Sequence, residues 1–152
     1  MVAGRRKSAA PLSLIVGRLR PVAKLLPFEH AILSEVGSSL SPEQRGQFAA
    51  QVAHINKVQR LLEWNEIEFY CMRWFKVRWP TAILFQNRGE FMLGSGTLRA
   101  LDIFAPVKVW AVGGHIFSIE SEAPLKAFRT ATNVSFALAE AAQPIIPPDA
   151  AR

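Results

Sequence analysis

The stretch Val109–Glu122, VWAVGGHIFSIESE, decides how the chain is read. Two glycines stand between runs that alternate apolar and polar residues, which is the signature of a β-hairpin closed by a two-residue turn of the I′ or II′ kind. With Gly113-Gly114 as the turn, Val112 faces His115, Trp110 faces Phe117 and Lys108 faces Ile119. A Trp110–Phe117 cross-strand pair is expected to contribute about 0.5–1 kcal/mol and to fix the register. Val107, Val109, Ala111 and Ile116 then share the opposite, apolar face.

Upstream, the strand pattern continues. From Asn65 to Arg78 the alternate positions Ile67, Phe69, Cys71, Phe75 and Val77 form one face, and Glu66, Glu68, Tyr70, Met72, Trp74, Lys76 and Arg78 the other. A run of this length needs a bend or bulge. Trp79-Pro80 ends it, TAILFQ reads as a second strand, NRG as a turn, Glu90–Leu93 as a short third strand, and GSG as a lead into TLRALDIF. Pro106 either parts two strands or occupies an exposed edge, since it has no N–H for a ladder.

Further upstream the period lengthens to that of a helix. Phe28, Ile32, Val36 and Leu40 recur every four residues. Ser41-Pro42-Glu43-Gln44 opens a second helix with an N-cap serine, a proline at the first position and a glutamine placed to reach back to the Ser41 backbone. Its stripe is Phe48, Val52, Ile55 and Leu62, with Arg45, Gln51, Lys57 and Arg60 off it, so the helix runs to about Arg60. Gly37-Ser38-Ser39 is the expected break between the two helices. Downstream of Glu122, APLKAF fits the start of a helix, TATNVSFALAE fits either a strand or a helix, and QPIIPPDAAR reads as a tail.

The fold class is therefore α+β, an N-terminal helix pair packed on an antiparallel β-meander in two layers. The expected organisation is a basic leader over 1–27, a single domain over 28–140 and a loose tail over 141–152. Half of the 152 residues are hydrophobic, with ten Phe and four Trp, enough for one core without staples. The net charge of +6 is concentrated at the start of the chain. Arg5, Arg6, Lys7, Arg18, Arg20 and Lys24 precede the first acid, and the chain from Glu29 onward carries twelve bases and twelve acids. The body has no whole-domain field for phosphate backbones. One cysteine excludes an intrachain disulfide, and charges interrupt every apolar run of spanning length. The expected home is the cytoplasm, with organelle import as the alternative if the basic leader is a presequence.

The chemistry-bearing residues are sparse. His115 and Glu120 are an odd number of positions apart, which places them on opposite faces of a regular strand. His30 and His54 have no second ligand at metal-binding spacing. Cys71 alternates with Phe69 and Phe75 as a small core residue. GSGTLR has Arg99 where a dinucleotide fingerprint needs its third glycine. Glu66 and Glu68 share a face and read as a solvated margin. No catalytic residue, metal site or cofactor is expected. What stands out is YCMRWFKVRWP, in which Tyr70, Trp74, Lys76 and Arg78 combine aromatic and basic groups on the face away from the core. Such groups anchor interfaces. The expected function is a non-catalytic domain that binds a protein partner, of the inhibitor, immunity or adaptor kind. The alternatives are a small-molecule binder or enzyme using a cavity between helix and sheet, and a nucleic-acid binder using the leader and the aromatic-basic face.

Overall fold

Prolines set both helix starts, as expected where the first N–H has no partner within the helix. In the computed structural model, which describes residues 25–142, α1 spans Pro27–Ser39 and α2 spans Pro42–His54. The leader to residue 24 and the tail from 143 lie outside the described residues. Ser41 caps α2 by accepting from the Gln44 backbone N–H at 3.3 Å, and its hydroxyl donates to the Gln44 side-chain carbonyl rather than leaving that group for the Ser41 backbone. Phe28, Ile32, Val36 and Leu40 are buried as the spacing predicts. The helix does not break at Gly37. It runs on to Ser39, and Gly37 instead admits the Phe48 ring of α2, which a Cβ would approach to 2.9 Å.

The second helix stops at His54, six residues before the expected end. Asn56 redirects the chain. Its side chain accepts from the Met72 N–H at 2.7 Å and donates to the Met72 carbonyl at 2.8 Å, while its own N–H donates to Tyr70. This anchors β1, Lys57–Leu61, antiparallel to β2, Glu66–Tyr70. Arg60 is not a solvated helix residue; it makes a two-pronged pair with buried Glu29 of α1 at 2.7 and 2.9 Å and lies over the Trp64 ring.

The long strand expected from Asn65 to Arg78 ends at Tyr70, and the chain then forms a two-stranded finger, β3 (Met72–Arg73) and β4 (Lys76–Val77). TAILFQ is not a strand. Thr81–Ile83 is a short 3-10 turn, and the Leu84 and Ile83 carbonyls accept from the α2 side chains of Gln47 and Gln51 at 3.1 and 2.7 Å instead of entering a ladder. GSG lies within β5, Phe91–Ala100, and the turn comes later at Leu101-Asp102, before β6, Ile103–Val112. β7 is His115–Glu120 and β8 is Ser135–Ala141; between them APLKAF gives one 3-10 turn, Leu125–Phe128. The sheet order is β1-β2-β7-β6-β5-β8, with every pair antiparallel. β5, β6 and β7 form the central meander. The helix pair covers one sheet face, α1 against β5 and β8 and α2 against β7, and the two layers make the α+β arrangement that the sequence implies.

The opening hairpin forms, with both glycines at positive φ (64° and 87°). Its register holds for Val112–His115 and Ala111–Ile116 and then shifts: Trp110 pairs with Ser118, Val109 with Ile119 and Lys108 with Glu120. Phe117 is the extra residue of a bulge. The reason is burial: Ile116 and Ile119 both point into the core, and an odd spacing lets two residues share a face only across an irregularity. The expected Trp110–Phe117 pair is replaced by an edge-on contact of Phe117 with Tyr70, centroids 6.5 Å apart. The same bulge places His115 and Glu120 on one face, correcting the expectation that they lie on opposite faces. Pro106 sits on the part of β6 that extends beyond β7 and pairs only with β5, the exposed-edge alternative.

Candidate interaction surface

Arg73 and Lys76 pair across the finger, the Arg78 N–H closes its base on the Cys71 carbonyl at 2.7 Å, and Trp74-Phe75 makes the turn. Both turn residues have positive φ, 50° and 65°. A turn of this hand suits Asn-Gly, and each bulky residue held there costs about 1–2 kcal/mol. Among the described residues nothing packs on the aromatic rings: Trp74 is 89 % and Phe75 99 % exposed. Phe75 was expected on the core face beside Phe69 and Cys71; the tight turn ends the strand alternation and turns it outward. Lys76 and Arg78 are exposed with Trp74, while Tyr70 is half-buried and stays behind on the main sheet. The four expected site residues are thus divided between finger and sheet. Arg73 and Phe75 join them, and the four residues Arg73, Trp74, Phe75 and Lys76 carry no glycine or asparagine to mark a turn.

No acid occurs between Glu68 and Glu90, whereas Arg73, Lys76, Arg78 and Arg88 all fall there. Among the described residues none of these four forms an ion pair. The finger is therefore a cationic projection tipped by two aromatic rings.

The sheet face turned away from the helices carries the carboxylates Glu66, Glu68 and Glu120, with Lys57 and Lys108 on the same face. Glu66 stands directly opposite Glu120, and Glu68 opposite Ser118. The Tyr70 hydroxyl donates to the Glu68 carboxylate. Burial and then this carboxylate hold the phenol up to about 12. Burial, followed by the charges of Glu68 and Glu120 and a hydrogen bond with Glu68, raises the Glu66 carboxyl above its ordinary value. Ser118, 0 % exposed, sits between Glu68 and Trp110, and neither its hydroxyl nor the Trp110 indole nitrogen has a hydrogen-bond partner. Glu66 and Glu68 are more than the margin of one strand: β7 adds a third carboxylate that lies far away in sequence.

His115 is half-buried beside the Gly113-Gly114 turn. Its ring stacks on Trp79 at 4.8 Å, Nδ1 lies 2.9 Å from the Ile116 carbonyl, and burial lowers its pKa. Its place is at the seam between the sheet and the segment returning from the finger. Among the described residues no cluster of His, Cys, Asp or Glu has the geometry to hold a metal ion, and no helix is long and apolar enough to cross a membrane. No protein-family model, curated protein or solved structure matches the chain.

Proposed function

We propose that this domain is a non-catalytic binding module whose β3–β4 finger docks a protein partner. Trp74 and Phe75 enter an apolar slot, and Arg73, Lys76 and Arg78 face the slot's acidic rim. The observation that carries this reading is the near-complete exposure of two large aromatic residues on a turn whose backbone disfavours them. Among the described residues no packing offsets the strain of this turn, and strained exposed residues of this kind concentrate at functional sites. Trp and Arg are also the residues that dominate interface energetics. A protein partner is favoured over nucleic acid because acids and bases balance over Glu29–Arg152.

Photo-crosslinking in extract of the source cell tests the reading. A photoreactive residue at position 75 should give a discrete protein adduct, and Trp74→Ala should remove it, as loss of an anchor worth about 2 kcal/mol or more would do. The same group at Leu101, 91 % exposed at the other end of the sheet, is the control. An adduct with nucleic acid, or identical labelling from positions 75 and 101, overturns the proposal.

A further inference from the structure

The cationic finger and the carboxylate face belong to one chain, and the finger's cations complement the face's carboxylates. We propose that the finger's partner is a second copy of the same chain, with Lys76 and Arg78 of each copy laid over Glu66, Glu68 and Glu120 of the other. The inference rests on the reading of the finger as a docking element and names its occupant.

Charge complementarity carries it. Like charges directly opposite one another on a sheet are unfavourable, yet Glu66 and Glu120 stand so. Among the described residues none of the three carboxylates is in an ion pair: Lys57 lies over the Tyr70 ring, and Lys108, opposite Glu120, is outside ion-pair distance. Within the described residues, then, neither the finger's cations nor these carboxylates have an ion-pair partner. Connectivity supplies the geometry, because the finger continues the strand that carries Glu66 and Glu68. A two-fold axis near Tyr70 sends each sheet away from the axis and each finger along the other copy's outward face. The contact is then made twice and closes on itself, as isologous pairs do.

Sedimentation velocity on the full chain tests this with a charge swap. The wild-type chain should dimerise reversibly below about 0.1 mM. Lys76→Glu/Arg78→Glu makes finger and face both negative, and Glu66→Lys/Glu68→Lys makes both positive, so each variant alone should dimerise at least about tenfold more weakly. Mixed in equal amounts they present complementary surfaces in both contacts, and the mixture should pair to within about threefold of wild type. Glu66→Gln/Glu68→Gln, which reverses no charge, should weaken the pair to a smaller extent if the lysine variant folds poorly. A wild-type chain that stays monomeric to about 0.1 mM, or a mixture no tighter than its components, overturns the self-pairing. Either outcome leaves open a different protein on the finger, which the mass of the position 75 adduct would reveal. If Trp74→Ala changes neither the sedimentation nor that adduct, the finger is not a docking element and both proposals fall.

Discussion

Because Tyr70 is the chain's one tyrosine, its ionisation can be followed by ultraviolet absorbance without interference. In the folded protein the phenol should titrate near about 12 instead of 10, and Glu68→Gln should bring it back toward 10 by removing the neighbouring negative charge. The sign for stability follows: a phenol that holds its proton more tightly when folded stabilises the fold below its unfolded pKa. That contribution is lost as pH rises from 10 toward about 12. Gln51 gives a second prediction. It is fully buried, donates to the Ile83 and Gly114 carbonyls at 2.7 and 3.1 Å, and accepts from the Ile116 N–H at 2.8 Å. Gln51→Leu keeps the bulk and strands buried backbone groups, so urea denaturation should show a loss of about 2–4 kcal/mol. The helical pattern set Gln51 off the apolar stripe. Its partners lie 32, 63 and 65 residues away, and local periodicity carries no record of them.

Elements show the same division between local and distant causes. Helix starts, the Gly113-Gly114 turn and the buried face of α1 were legible because each depends on residues within one turn of chain. The ends of α2 and β5 were not, since Asn56 is fixed by Met72 and the β5 glycines lie where β8 and α1 come close. The finger was half legible: its aromatic and basic composition is visible, while a turn at Trp74-Phe75 contradicts the residue preferences from which turns are read. Replacing Trp74-Phe75 by Asn-Gly should raise stability by about 1–2 kcal/mol in chemical denaturation and abolish the position-specific docking, separating the needs of the fold from those of binding. The Phe117 bulge yields an opposite kind of expectation. Removing Phe117 restores a regular pairing in which Ile116 and Ile119 still face inward, so this one-residue deletion in a central strand should leave a cooperative thermal transition. Deleting Ala111 from β6 should abolish that transition, because with the turn held in place the side chains that precede it along the strand, Val107 and Val109 among them, would reverse faces.

At the scale of the molecule, the two-layer α+β plan was available from the change of period along the chain. The assembly of its outward face was not, because Glu120 joins Glu66 only through strand pairing. The edges of the sheet are equally hidden, since the β1 residues continue the helical pattern of α2 and the β8 residues fit helix and strand alike. One edge is incomplete in a way that bears on how the protein behaves when crowded. β6 outruns β7 by five residues, Ile103–Val107, and along that stretch it pairs, among the described residues, with β5 alone. Exposed Leu101, Ile103 and Phe104 surround this open stretch, the combination from which strand-by-strand aggregation starts. Pro106 stands in the middle of it and withholds an N–H that a foreign strand would need. Pro106→Thr, which suits a strand better by propensity, should therefore shorten the lag before thioflavin-positive fibrils form in concentrated samples while leaving the melting temperature nearly unchanged. The proline acts as a gatekeeper: it keeps the protruding end of this hairpin from becoming a template.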